Sequence, residues 1–226
     1  MLNWHNFVLL VLLALLCSSS CTFADDNSTL TAGQSSGEIT SAEEEDYTPT
    51  IECRPNVTIE DVFRENKIID DLSLDFSEHY LALVDIEYAG DLQVSCGNEL
   101  TPNQTAKEPV VFNYHSGWYE HYSVVMIDPD APKDKGTVLH WMVVNIPGSN
   151  MTQGEVACPY FGPKPPMDHG LHRYISLIYL QSDEGPVAVK DWSQNRYNFN
   201  LTSWVQDNNL HGPLFGNFFK AQNKSK

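Results

Sequence analysis

The sequence predicts a mostly β fold, an antiparallel β-sandwich with a few peripheral helices. Three observations predict it. Short apolar runs with a two-residue period recur along the chain. Pro and Gly clusters punctuate them, as at Ile146-Pro147-Gly148 and Gly162-Pro163-Lys164-Pro165-Pro166. Helical periodicity appears twice and does not alternate with the strands, so a parallel βαβ sheet is not expected.

In chain order, residues 7–16 form an unbroken apolar run too short to span a bilayer. Thr22-Phe23-Ala24 follows as a cleavage point, so residues 1–24 read as a secretory signal peptide, although no Lys or Arg precedes the run. Removing it leaves no transmembrane segment expected in the mature chain. Residues 25–50 hold seven acidic residues and no Lys or Arg, and read as an acidic disordered arm. Glu43-Glu44-Glu45-Asp46 within it reads as a solubilising run. A single domain is expected over residues 51–222, with residues 223–226 as a tail.

Within that domain Thr58 caps a helix whose apolar positions are Ile59, Val62, Phe63 and Ile69. The period then changes to two. Strands are expected over residues 81–86, 110–114, 122–127, 141–146 and 174–180. Asn200 caps a second helix through Leu201, Trp204 and Val205. Gly212-Pro213 stops that helix, and residues 214–219 form a last strand.

The 226 residues are 42% hydrophobic, enough for an ordinary core. With 13 basic against 30 acidic residues the net charge is −17, which excludes nucleic acid as a partner and broad adsorption to anionic membranes. Any anion must be held by local groups against this field. Cys17 and Cys21 leave with the signal peptide. Cys53, Cys96 and Cys158 remain, giving one disulfide and one leftover cysteine in an oxidising compartment, with three pairings open. No Cys-x-x-Cys occurs, so no structural zinc is expected. Sequons at Asn27, Asn56, Asn103, Asn150, Asn200 and Asn223 mark surface positions for glycosylation.

The chemistry concentrates in three stretches: Asp128-Pro129-Asp130-Ala131-Pro132, His140 through Asn145, and Gly170-Leu171-His172-Arg173-Tyr174. Asp128 ends a strand because Pro129 cannot continue a ladder. His140 opens the next run and lies beside Asp128 if the two strands form a hairpin. His172 and Tyr174 share a strand face, while Arg173 points away and needs a carboxylate, for which Asp130 is the candidate ion-pair partner. The three prolines of residues 160–169 make a rigid rim. Imidazole N–H and phenol O–H groups donate to phosphate oxygens, and a carboxylate orients a histidine or holds an ammonium. The same residue types also suit a two-His, one-carboxylate metal site or an acid–base pair, but no nucleophile motif is present.

These stretches, in this order, resemble the phosphatidylethanolamine-binding protein family, which includes the Raf kinase inhibitor protein. The similarity runs from about residue 75 to 222. It implies an antiparallel β-sandwich with an anion pocket for phosphate-like groups and phospholipid headgroups, and no cofactor, no metal and no enzymatic activity. Carried over by position, Asp128, Pro129, His140, His172 and Tyr174 line the pocket, and Gly162, Pro163 and Pro165 form its rim. The sequence departs from the family pattern. Leu139 stands where many members have a first histidine, and Val138 where a tryptophan is common. The rim carries Pro163 and Lys164. The chain ends soon after Phe219, so the C-terminal helix of animal members is absent and a more open pocket is expected.

The expected function is therefore a secreted, extracellular, non-enzymatic binding protein for a phosphate-containing small molecule or phospholipid headgroup. The alternative is a protein partner: an extracellular serine protease inhibitor or signalling modulator.

Overall fold

Nine strands among the described residues form two sheets in the computed structural model, which describes residues 53–117, 119–183 and 185–225. The expected signal peptide, the acidic arm, Asn27 and residues 51–52 lie outside the described residues. The strands are β1 (Ala82–Leu83), β2 (Asp85–Tyr88), β3 (Leu92–Gln93), β4 (Val111–Asn113), β5 (His121–Asp128), β6 (Val138–Pro147), β7 (Glu155–Cys158), β8 (His172–Leu180) and β9 (His211–Ala221). The larger sheet has the order β1-β9-β8-β5-β6-β7 and the smaller β3-β2-β4. Every pairing is antiparallel except β1 with β9. The helices are α1 (Ile59–Glu65), α2 (Ile68–Leu72) and α3 (Leu201–Asp207).

The larger sheet is covered on both faces, which is why its central strands read as near-continuous apolar runs. Along β5, Val124 and Met126 face the smaller sheet and pack with Val84, Ile86 and Tyr114. Val125 and Ile127 face the other way, toward Phe63 of α1 and Trp204 of α3. The layers are therefore small sheet, large sheet and helices, a β-sandwich with peripheral helices.

Three expected elements differ in detail. The helix after Thr58 has the capping box that Thr58 and Asp61 encode, but it breaks at Asn66 and Lys67, where Lys67 takes a left-handed φ of 57°. Ile69 consequently belongs to α2. The run over residues 81–86 is two strands in two sheets, divided at Val84. Buried Asn217 secures the crossing by donating to the Val84 and Val94 carbonyls at 2.9 and 3.0 Å. Its oxygen accepts from the Cys96 amide at 3.1 Å. Helix α3 ends at Asp207, well before Gly212-Pro213, and those two residues lie inside β9.

Cys53 pairs with Cys96 across 43 residues, with Cα atoms 5.3 Å apart, inside the range that bridges span. Cys158 is buried, and burial pushes its thiol up to about 11, the state of an inert core cysteine. The bridge anchors the start of the described chain to the Asn217 junction. Replacing both Cys53 and Cys96 by Ala should cost about 2–4 kcal/mol in urea unfolding. A variant with an unchanged midpoint would show that the bridge constrains nothing.

Asn56, Asn103, Asn150, Asn200 and Asn223 are all exposed. Asn200 caps α3 through its oxygen, which accepts from the Ser203 amide at 3.0 Å, and not through the amide nitrogen that a glycan modifies. Among the described residues no helix is long and apolar enough to cross a membrane.

Candidate functional site

Strand β5 delivers Asp128 to the edge of the sheet, and the turn that Pro129 imposes fixes its direction. One carboxylate oxygen accepts the Asp130 amide at 2.8 Å, an Asx turn. The other accepts Nδ1–H of His172, the first residue of β8, at 2.8 Å. Tyr174, two residues on, shares that face, and its ring stacks between those of His172 (6.5 Å) and Phe219 (5.3 Å).

His140 reaches the same place by a β-bulge. Met126 pairs with Trp141 but Ile127 pairs with Leu139, so His140 is the extra residue between two ladder partners. A bulge re-aims a side chain and leaves its backbone groups unpaired. The His140 carbonyl accepts from the Phe161 amide at 2.8 Å and from Arg196 Nη1 at 3.1 Å. Its ring Nδ1–H donates to the Phe161 carbonyl at 2.5 Å. The ring lies edge-on to Tyr174 at 5.1 Å and stacks on Phe161 at 5.7 Å. Leu139, beside it, turns into the helix-side core.

The structure thus brings Asp128, His140, His172 and Tyr174 together. All four are buried, between 1% and 3% exposed. The Tyr174 hydroxyl is buried, with the Asp128 carboxylate and the Lys164 main chain within interaction range but neither in good hydrogen-bond geometry. Burial first, then the Asp128 charge, push that phenol well above its ordinary range. Burial also lowers the proton affinity of His140, against the opposing pull of the Phe161 carbonyl and Asp128.

At the rim, Gly162, Pro163 and Pro165 are buried and Pro129 is half-buried. A Cβ on Gly162 would meet the Thr105 carbonyl oxygen at 2.9 Å, so the close approach there requires glycine. Lys164 is exposed, with its Nζ 4.6 Å over the Phe161 ring.

Residues 223–225, read from sequence as a tail, run beside the rim. Asn223 bridges to Met167, and its carbonyl accepts the Asp168 amide at 2.8 Å. The Asp168 carboxylate accepts the Ser225 amide and hydroxyl. His169 then places Nδ1 2.9 Å from His172 Nε2. Sequence reasoning passed over His169, Phe161 and Arg196. The only signal was the three-residue spacing of His169 from His172.

A second expectation also changes. The Nδ1–H groups of His140 and His172 are committed to Phe161 and Asp128, so each neutral ring turns a lone pair, not a donor, to its other side. Donation from Nε2 to an anion requires a second proton on the ring. Among the described residues, no group of three or more His, Cys, Asp or Glu side chains is placed to hold a metal ion.

Arg173 lies on the opposite face of β8. Its Nε and Nη2 donate to the two oxygens of Asp130 at 2.8 and 2.7 Å, and its amide to Oδ2 at 2.8 Å. Nη2 also meets Asp71 at 2.7 Å, and Nη1 donates to the Asn66 carbonyl at 2.6 Å. Burial pushes the Asp130 carboxyl up, but these bonds more than offset it and hold it below the usual range. Arg173 holds its proton more tightly than usual, chiefly through Asp130.

Residues 87–219 match the family described as phosphatidylethanolamine-binding protein. A 26 kDa secreted antigen of Toxocara canis is 34% identical over 151 residues, which cover 62% of this chain and 56% of the antigen. The chain thus spans little more than half of that relative. A protein named putative odorant-binding protein A5 of Drosophila melanogaster is 30% identical over 169 residues, 71% of this chain and 79% of that protein. Among solved structures, a carboxypeptidase Y inhibitor complexed with its cognate proteinase superposes with a TM-score of 0.62 at 23% identity. It covers 74% of this chain and 95% of the inhibitor, a likeness of fold.

Proposed function

The chain belongs to the phosphatidylethanolamine-binding protein family, which is non-catalytic, and from that premise we propose that its buried centre receives a phosphate-like group. Asp128, His140, His172 and Tyr174 form the receiving centre. Pro129 and the rim residues Gly162, Pro163 and Pro165 hold its walls. The group is either free or carried on a phospholipid headgroup.

The observation that carries this reading is the convergence of two buried imidazoles and the buried Tyr174 hydroxyl on one place beside Asp128, with that hydroxyl held by no hydrogen bond of good geometry. A buried polar group without a partner costs about 1–3 kcal/mol, and native structures hold few of them. A ligand oxygen placed between that hydroxyl and the imidazoles removes the cost. The proposal includes location: signal peptide 1–24 cleaved after Ala24, arm 25–50, binding domain 51–222 and glycans on the exposed sequons. The name of the secreted Toxocara relative agrees with it.

The test is calorimetric titration of the secreted protein, whose first residue should be Asp25, with inorganic phosphate and phosphorylethanolamine. Vesicles containing phosphatidylethanolamine distinguish a headgroup in a bilayer from the free group. Replacing His140 and His172 together by Ala should weaken binding by about 100-fold, from the loss of two charge-assisted bonds. Tyr174→Phe should weaken it by about fivefold. Equal affinity in the native protein and the double variant overturns the reading.

The comparisons lean toward a second reading, that the chain acts on a protein, as a serine protease inhibitor or signalling modulator. The likeness to an inhibitor seated on its proteinase supports it. So does a depression of about 370 Å³ beside Phe161, lined in part by Arg196 and Tyr197, the latter 55% exposed. Arg and Tyr are the residue types that anchor protein interfaces. If none of the phosphate ligands binds the native protein, this reading takes precedence, and the measurement becomes inhibition across a serine protease panel with a Tyr197→Ala control.

A further inference from the structure

We infer that His169 occupies the seat over His172 at which an incoming anion oxygen would be received, so that the centre fills only by exchanging an imidazole for its ligand. The inference rests on the reading of the centre as an anion site.

His172 has one nitrogen to offer. Its Nδ1 is committed to Asp128 at 2.8 Å, and its Nε2 lies 2.9 Å from His169 Nδ1. A phosphate oxygen hydrogen-bonded to Nε2 needs the same position at nearly the same distance. The two occupants exclude each other.

The rest of the rim is built to let His169 leave. His169 itself is exposed, so its ring gives up little burial on departure. It sits between Asp168, at a left-handed φ of 55°, and Gly170, at 93°. The space where a Gly170 side chain would stand is open, with no atom within 4 Å. No side chain at Gly170 therefore stands in the way of the His169 ring. The segment just before it is tied down instead, by Asn223 on Met167 and Asp168 and by Ser225 on Asp168. The imidazole can swing out while the rim stays in place, so the cap is local and needs no unthreading of the prolines.

A single part-buried imidazole–imidazole hydrogen bond of this kind has a small net value, and forfeiting it lowers ligand affinity by about tenfold. Calorimetry with inorganic phosphate on the native protein, His169→Ala and His172→Ala tests this. His169→Ala should bind phosphate about tenfold more tightly than native, and His172→Ala should bind it far more weakly than either. In the native protein, phosphate should also shift the His169 ring resonances toward those of a solvent-exposed imidazole.

If His169→Ala binds no more tightly than native while His172→Ala loses binding, the anion site stands and the cap does not. Weaker binding by His169→Ala would make His169 a ligand of the anion and equally overturn the cap. Absence of phosphate binding by both native protein and His169→Ala removes the site itself. Since His169 is exposed, its variant should unfold at the native midpoint, which separates these outcomes from a folding defect.

Discussion

Sulfate should bind more tightly by about tenfold for each unit that pH falls below 8, for each proton taken up with it. Sulfate keeps its charge across this range, so the change reports the protein. The reason is the wiring of the two imidazoles. His140 donates Nδ1–H to the Phe161 carbonyl, and His172 donates its own to Asp128. Neutral rings so fixed present lone pairs at Nε2, and a lone pair repels an anion. Binding at His140 must bring a proton. His140 resists protonation chiefly because it is buried, with Arg196 and His172 adding to that resistance, while the Phe161 carbonyl and Asp128 oppose it. A bound dianion tips this balance. By reciprocity the anion raises the proton affinity of the ring by the factor by which the proton raises anion affinity. Without ligand the same group acts in the opposite direction. Its folded proton affinity is below that of the unfolded chain, so the unfolded chain takes the proton first. Stability that is intact above about pH 6.5 is then lost as pH falls, with a slope of up to about 1.4 kcal/mol per unit. His140→Asn should flatten that slope, and saturating sulfate should oppose it. Sulfate affinity that is level from pH 8 to pH 6 would show that the rings donate without an added proton.

Much of this was written in local sequence. Thr58 and Asp61 specify a capping box three residues apart, and it forms. Pro129 ends β5 at Asp128 because it cannot donate to a ladder. The two-residue period puts His172 and Tyr174 on one face and Arg173 on the other. What was not legible depends on partners distant in the chain. The bulge at His140 exists because β5 and β6 slip by one residue between Trp141 and Leu139, and neither strand alone records that slip. Alternation over residues 81–86 gives the two faces but not the two sheets. That division needs Asn217, more than a hundred residues away, to bind Val84. The pairing of Cys53 with Cys96 is likewise a product of the fold, since spacing alone allowed three pairings. The docking of the last residues beside the rim was not legible because they look polar and featureless, and their contact is backbone pairing with Met167 and Asp168.

Arg173→Met should destabilise the domain by about 3 kcal/mol, the low end of what removing one member of a buried ion pair costs. Methionine keeps the apolar stem and removes only the guanidinium. The pair is mostly shielded, with Arg173 14% and Asp130 26% exposed. Its bidentate geometry is the strong form of the interaction. Asp71 contributes little, because it is 42% exposed. Two losses follow from the substitution. The Asp130 carboxylate keeps only the Arg173 main-chain amide, and the Asn66 carbonyl at the end of α1 loses its donor. Asp130→Asn alone should also destabilise, by stranding the guanidinium. Combining Asp130→Asn with Arg173→Met should cost less than the sum of the two, because neither charge is then left unpaired. Urea unfolding of the four proteins measures the cycle. An additive double variant, or an Arg173→Met protein within 1 kcal/mol of native, would mean that the fork is decorative. The consequence reaches the site on the far face of β8. Asp130 gives its amide to Asp128, and Asp128 orients His172. A turn no longer pinned by Arg173 holds that carboxylate less firmly, so Arg173→Met should weaken anion binding at a residue that never meets the anion.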